Sequence, residues 1–373
     1  MDYPELGSII DDKYEIIDIL GEGGTALVLK CTNIQTGNIY AIKRFIPERM
    51  SPVLKSRIFD EAKLTVKSNY IAKAIKTFKA DGFFHQLLYF LPGRDLSDIL
   101  NSGGPLDEQT SVYYALCMAR AVADLTAAHS GIVITDLKPE NSRIIDPSGK
   151  LVIFDLSCFE FAGKYPEFSQ GTMPYAPPEL INREILWQST DIYSIGIILF
   201  EMLIGREEFN RISEQWSLNL RRGYKVNISA IESTYPDVFM IIDRAIEPDP
   251  SNRYNNADEL ITRLMPYYQS ITGYSNAKIV SIKVILICEN GKKLCLREGT
   301  TLIGRNIIDP NICHISERHC EIMVDRKTNV LIRDIGSKYG TSVNGDRIDH
   351  QWVNLSDNDV IELVDFKIRI RIA

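Results

Sequence analysis

Cysteine is scarce and poorly placed for cross-linking: seven among 373 residues, an odd number, with no Cys-x-x-Cys pair. That excludes a disulfide framework and fits thiols kept reduced. Histidine is rarer, with five. One cluster, Cys313, His314, His319 and Cys320, holds the ligand types of a zinc site. Neighbours on a strand point to opposite faces, so no metal is expected there. No run of apolar residues is long. The longest, residues 192–203, is broken by Tyr193, Ser194 and Glu201, and it falls short of the ~20 residues a membrane crossing needs. The start, Met1-Asp2-Tyr3-Pro4-Glu5, lacks the basic-then-apolar order of a secretion signal. No charge sign dominates: 42 basic residues stand against 49 acidic ones, a net of −7. That balance removes nucleic acid as a default partner. Repeats and low-complexity tracts are missing too. What remains is a soluble chain, expected in the cytoplasm, and long enough for two domains at roughly 100–200 residues each.

Texture and charge both change near residue 278. From Lys278 onward there are 15 basic and 13 acidic residues, which leaves 27 against 36 before it. The earlier part moves from strands into long helical patterns, such as residues 108–129 and 190–203. The later part alternates in short strands, most strictly in Lys367-Ile368-Arg369-Ile370-Arg371-Ile372. Asn290-Gly291 between apolar runs marks a hairpin, and Asn344-Gly345 marks a second tight turn. Residues 266–277, with Pro, Tyr, Gln, Ser, Gly and Asn, read as the join. About 12 flexible residues would typically span ~20 Å.

The first part carries phosphate chemistry. Gly21-Glu22-Gly23-Gly24-Thr25-Ala26-Leu27-Val28 follows a strand pattern at 14–20. Glycines let a hairpin backbone approach phosphate oxygens and offer its N–H groups. Alone, such a stretch is as much a generic turn as a cradle. Ala41-Ile42-Lys43 then ends an apolar strand, where the ammonium would lie beneath the hairpin. Residues 51–67 form an amphipathic helix whose Glu61 would pair with Lys43; Asp60 is the rival one position away. Ile134-Thr135-Asp136-Leu137-Lys138-Pro139-Glu140-Asn141 places a carboxylate, an ammonium and a carboxamide on one loop. Asp136 suits a hydroxyl proton, Lys138 a moving phosphoryl group, and Asn141 a hard cation. A buried strand, Leu151-Val152-Ile153-Phe154, then delivers Asp155 as a second oxygen ligand. Mg²⁺ favours oxygen ligands, usually one or two carboxylates with substrate phosphates.

Residues 14–265 therefore resemble a protein kinase catalytic domain, with its motifs in order. Asp136-Leu137-Lys138-Pro139-Glu140-Asn141 is typical of members acting on serine or threonine. Gly171-Thr172-Met173-Pro174-Tyr175-Ala176-Pro177-Pro178-Glu179 is similar to the segment closing the family's activation loop. The resemblance implies an α+β two-lobed protein kinase fold. ATP would lie under Gly21, Glu22, Gly23 and Val28, beside Ala41, with Lys43 on its inner phosphates and Glu61 orienting Lys43. Leu88 would precede the hinge that meets adenine, formed by residues 89–91 with Tyr89 and Leu91. Asn141 and Asp155 would hold Mg²⁺, and Asp136 would receive the substrate proton. Lys138 and Thr172 would line the site of the incoming hydroxyl. Asp191 would start a buried helix, and Arg253 would pair with Glu179.

Four positions depart from the pattern. Ala26 replaces the third glycine. Ile134-Thr135 replaces His-Arg, Leu156-Ser157 replaces Phe-Gly, and Pro177 replaces an alanine. None removes a group needed for transfer. Many members use the missing arginine to bind a phosphorylated activation loop, which carries roughly −1.5 to −2 charges. Activity is thus expected to depend little on loop phosphorylation, and Ser169 is the residue to mutate. The alternative is a catalytically inactive scaffold.

Residues 278–373 carry Ile303-Gly304-Arg305, then Ile315-Ser316-Glu317-Arg318-His319, then a stretch from Asp334 through Gly340-Thr341 to Asn344-Gly345. A guanidinium and a hydroxyl on neighbouring loops suit a phosphate. The pattern resembles a forkhead-associated (FHA) domain, an all-β sandwich binding phosphothreonine peptides. By that resemblance Arg305 and Ser316 contact phosphate, Lys338 adds a polar contact, and His319 braces the loop. Glu317 and Tyr339 depart from the family's usual residues. The partners implied are protein substrates and phosphothreonine-containing proteins, or this chain's own phosphosites. A sandwich that no longer binds phosphopeptide is the competing reading.

Overall fold

The computed structural model describes residues 4–372 except 51, 73, 168–170, 273–283, 297–298, 311, 313 and 325–328. The chain divides into two compact units, Met1–Ser275 and Asn276–Ala373.

The first unit opens with a six-stranded antiparallel sheet. Its spatial order is Ile9–Ile10, Tyr14–Glu22, Ala26–Asn33, Ile39–Phe45, Phe83–Tyr89, Ala74–Ala80. Asp81 and Gly82 close the last hairpin with φ of 52° and 81°. Two-residue turns of that hand match the twist of the flanking strands. Register matters most here. Val28 and Gln86 both pair with Lys43, and Ala41 pairs with Leu88. Directly opposed residues share a face, and the face repeats every second residue. Val28, Ala41, Lys43, Gln86 and Leu88 therefore leave the sheet on one side. The helix Pro52–Lys63 lies there, with Ile58 buried against Ala26, Phe45 and Met50.

The rest of the unit is mainly helical. Glu108–Ala128 begins at Asp107, whose side chain accepts from the Thr110 amide at 2.8 Å; this cap satisfies an otherwise orphaned N–H. Thr190–Ile204 is buried along nearly its whole length. The longest apolar run is thus a core helix, which needs apolar residues on every side. Pro236–Ala245 crosses it closely: a Cβ on Gly196 would come within 2.8 Å of Ile246. No helix among the described residues is long and apolar enough to cross a membrane.

The last helix, Ala257–Thr272, runs on through the first residues of the expected join, with Pro266 inside it. Tyr267, Tyr268 and Ile271 pack against the core, and the Tyr267 hydroxyl bonds to Glu108. That packing outweighs the hydrogen bond proline removes. Residues 273–277 of the join lie outside the described residues.

The second unit is two antiparallel sheets. One runs Lys293–Leu296, Val284–Cys288, Phe366–Ile372, Val360–Leu363, Thr341–Val343, Asp346–Ile348; the other runs Gly299–Ile303, Cys320–Val324, Val330–Asp334, Val353–Leu355. Along Phe366–Ile372 the isoleucines face inward, and Lys367, Arg369 and Arg371 are exposed, as their alternation predicts. Asn344 and Gly345 adopt φ of 53° and 91° at a two-residue hairpin.

Candidate active site

The sheet face carrying Val28, Ala41 and Lys43 roofs a cavity of about 460 Å³. Its walls include Gly21, Glu22 and Gly23 above, Leu88, Tyr89, Phe90 and Leu91 at the connecting strand, and Glu140 and Phe154 below. This volume lies in the usual range for small-molecule sites, roughly 300–1,000 Å³. A Cβ on Gly21 or Gly24 would meet nothing within 4 Å, and on Gly23 only a carbonyl at 3.6 Å. The protein's own packing does not demand glycine at these positions. Glycine there leaves the hairpin backbone open to close approach from the cavity.

Lys43 Nζ lies 2.8 Å from Asp155 Oδ2. Glu61 is buried and accepts from Gln86 Nε2 at 3.1 Å and from the Leu156 amide at 3.0 Å. Asp60, one residue earlier, is bound to Lys63 at 2.8 Å on the outer face. The inward carboxylate of this helix is therefore Glu61. The expected direct Lys43–Glu61 pair is not formed. Asp155 takes the ammonium, while Gln86 and the Leu156 amide donate to the two Glu61 oxygens. Glu61 acts on Lys43 through space. Burial works against the Lys43 ammonium, but the charges of Asp155 and Glu61 outweigh it and its pKa is raised. Burial likewise pushes Asp155 up, yet Lys43 and the Ser157 hydroxyl hold it below the usual carboxylate range. Burial raises Glu61 despite Lys43.

The loop at 134–141 converges below. Lys138 Nζ donates to Asp136 Oδ2 at 2.8 Å and to Thr172 Oγ1 at 2.9 Å. Thr172 donates to Asp136 Oδ1 at 2.6 Å, and Asn141 Nδ2 to Asp136 Oδ2 at 3.2 Å. Asn141 is tied to the strand that delivers Asp155, since its carbonyl accepts from the Phe154 amide at 2.9 Å. Thr135 and Asp155 both sit at φ 63°, a left-handed geometry uncommon for non-glycine residues. Asp191 holds this bend from beneath, accepting from the Ile134 amide at 2.8 Å and the Thr135 amide at 3.0 Å. Burial pushes its pKa up to about 6 against those two donors. Arg253 grips Glu179 through two bonds of 2.7 and 2.9 Å, both side chains buried. Ser169 lies outside the described residues.

In the second unit, Arg305 and Ser316 are joined by an Arg305 amide to Ser316 carbonyl bond of 3.1 Å, and the Lys338 amide donates to Ser316 Oγ at 3.1 Å. His319 is fully buried. Its Nδ1 accepts from the Ser316 amide at 3.2 Å, so Nε2 carries the proton and donates to the Gly340 carbonyl at 3.0 Å. The guanidinium of Arg305 is bound to the carboxylate of Glu317. Cys313 is outside the described residues, and no group of metal-ligating side chains occurs among those described.

Several supporting residues escaped the sequence reading. Gln86, which anchors Glu61, signals itself only as a polar residue inside an apolar strand. Ser157 donates to Asp155 at 2.8 Å from a position noted only as a departure. Arg49 donates to Glu22 at 2.9 Å and to the Gly23 carbonyl at 3.3 Å, bracing the glycine hairpin. Arg57 bonds to Glu160 at 3.1 Å, across 103 positions of sequence. No local pattern signals a pair so far apart.

This two-lobed cleft with its charged floor defines a protein kinase fold, and comparison with known proteins agrees. The profile described as "Protein kinase domain" matches residues 14–265, and that described as "FHA domain" matches residues 301–364. The chain belongs to the protein kinase family and carries an FHA domain after the kinase domain. "Probable serine/threonine-protein kinase 2" of Plasmodium falciparum is 31% identical over 228 residues, 59% of this chain and 43% of that protein. "Ribosomal protein S6 kinase alpha-2" of Mus musculus is 30% identical over 205 residues, 53% of this chain and 28% of that protein. The chain thus spans less than half the length of the curated relatives it matches. Among solved structures, the kinase domain of Mycobacterium tuberculosis PknI aligns with a TM-score of 0.57 at 15% identity, covering 71% of this chain and 99% of that one. At that identity the likeness concerns the fold.

Proposed function

We propose that the first unit transfers the γ-phosphoryl group of ATP to serine or threonine hydroxyls of proteins, and that the second binds phosphothreonine-containing partners. The observations that carry the first part are the Lys43–Asp155 pair at the cavity walled by Gly21–Gly23 and the bonded cluster of Asp136, Lys138, Asn141 and Thr172, which the Asn141 carbonyl ties to the residue before Asp155. Lys43 holds the inner phosphates, Asp136 orients the acceptor hydroxyl and takes its proton, and Lys138 faces the transferred group. Thr172 keeps Asp136 and Lys138 in register. Positioned general-base help is worth about 10²–10⁴-fold, and the larger share comes from orientation and electrostatic stabilisation. The donor set suits Mg²⁺: Asn141 and Asp155 are oxygen ligands, Asp155 is ionised and a third accessible, and bound Mg²⁺ would neutralise phosphate charge.

Incubation with ATP and Mg²⁺, with phosphosites read by mass spectrometry, tests this. The native chain should phosphorylate protein serine or threonine, and Asp136→Asn should not. The scaffold reading rests on Ser157, which with Lys43 already engages the Asp155 carboxylate; equal absence of phosphosites in both proteins would establish it.

For the second unit, Arg305, Ser316 and Lys338 form the phosphate contact, and buried His319 holds the Ser316 loop to Gly340. Each charge-assisted bond contributes about 1.5–3 kcal/mol, and after the cost of ordering a peptide the affinity falls on the order of micromolar. Arg305→Ala should abolish binding to phosphothreonine peptides without lowering the melting temperature. The docked protein is either a substrate already phosphorylated nearby or this chain's own kinase domain.

A further inference from the structure

Arg305 does not face the loop cleft as an open cation. Its guanidinium is bound to Glu317, whose side chain is 59% exposed. The backbone places this carboxylate there. Gly304 has no Cβ, and one built on it would lie 1.9 Å from the Glu317 carbonyl oxygen and 2.9 Å from that of Ser316. Residues 316–317 therefore lie directly on the Gly304 backbone. The Arg305 amide to Ser316 carbonyl bond of 3.1 Å and the His319 amide to Ile303 carbonyl bond of 2.9 Å hold them on either side. His319, fully buried, ties the same loop to Gly340. Glu317 thus projects from a loop fixed at several points and reaches the guanidinium assigned to phosphate.

We propose that Glu317 is a built-in competitor of the phosphate and a selector of its surroundings. The inference rests on the reading of Arg305 as a phosphate contact. A phosphate dianion and a carboxylate compete for the same guanidinium. The Arg305–Glu317 pair is half-exposed, and such pairs are weak, so a doubly charged phosphate displaces the carboxylate. The displaced carboxylate stays on its fixed loop beside the phosphate, because the backbone that carries it does not move. A cationic peptide residue adjacent to the phosphothreonine neutralises it; an acidic one adds a further like charge. The site therefore selects phosphothreonine flanked by arginine or lysine and rejects phosphothreonine flanked by acids.

The test uses the full chain with two phosphothreonine peptides of equal length, one flanked by arginines and one by glutamates, titrated by fluorescence anisotropy. The native protein should bind the arginine-flanked peptide about 10-fold or more tightly than the other. Glu317→Gln should tighten the glutamate-flanked peptide about 10-fold and shrink the discrimination to about 2–3-fold. Glu317→Asp, which keeps the charge on a shorter stem, should retain the preference. Equal discrimination by the native chain and Glu317→Gln would overturn the proposal while leaving phosphate recognition intact. Failure of native, Glu317→Gln and Glu317→Asp proteins, all with unchanged melting temperatures, to bind either peptide would overturn the phosphate reading itself, and the proposal with it.

Discussion

The helix Pro52–Lys63 brings Glu61 to the cleft, and one turn earlier the same helix carries Arg57. Residues four apart on a helix share a face. Arg57 reaches Glu160 at 3.1 Å, with side-chain exposures of 11% and 4%, and its guanidinium lies 5.1 Å from the Phe159 ring centroid. Glu160 pairs with Val133 in a short ladder, one residue before the loop that bears Asp136. The ion pair thus fastens the helix to the floor of the cleft. Removing one partner of a buried pair costs about 3–5 kcal/mol, since the other charge is stranded, whereas removing both is far milder. Here the lower end applies. A water-accessible cleft of about 370 Å³, lined by Arg57, Asp60, Lys164 and Glu167 among others, adjoins the pair. Each 1.4 kcal/mol is tenfold, so about 3 kcal/mol spent on helix placement reduces the competent population up to ~100-fold. Arg57→Met should lower kcat/KM for ATP by about 10–100-fold. Arg57→Met with Glu160→Gln should recover most of it. The assay is steady-state phosphorylation at varied ATP, with a thermal melt alongside. Native rates in Arg57→Met, or a double variant no better than the single ones, would refute the reasoning.

Four further outcomes are expected. Lys43→Met strands Asp155 and Glu61 beside one another, so ATP-dependent activity should fall at least ~100-fold, while nucleotide binding by calorimetry separates a positioning effect from loss of the cleft. Arg253→Ala leaves buried Glu179 without its counter-charge, with only the Thr190 hydroxyl bond at 3.0 Å, a loss of about 3 kcal/mol or more; at ~2–4 °C per kcal/mol the melting temperature should drop by roughly 10 °C, and an unchanged melt would count against a stabilising role. Burial pushes the folded Asp191 carboxyl up to about 6 from the ordinary 3.8. Between those values the folded chain keeps a proton that the unfolded chain has released, so stability should decline as pH rises through that window, by about 3 kcal/mol at most; urea midpoints of the native chain against Asp191→Asn should diverge in slope there and nowhere above. Ser169→Ala should leave catalytic rates within about twofold, because Thr135 offers no cation to a phosphorylated loop; a large loss rescued by an acidic residue would overturn that expectation.

Much of this protein is legible in its sequence. The two-residue turn at Asn344-Gly345 and the alternation at 367–372 follow from local backbone sterics and a period of two. The order of motifs from Gly21 to Asp155 carried the resemblance to the protein kinase family, to which the chain belongs. Local spacing also favoured Glu61 over Asp60 without deciding between them. Only the folded chain could decide that, since the choice depends on which carboxylate meets Gln86, a residue 25 positions later. The partner of Lys43, the grip of Asp191 on the Ile134 and Thr135 amides and the bond from Arg57 to Glu160 were invisible for the same reason. Each joins groups far apart along the chain whose encounter depends on sheet register and helix packing, and an ion pair leaves no periodic trace in the residues between its ends.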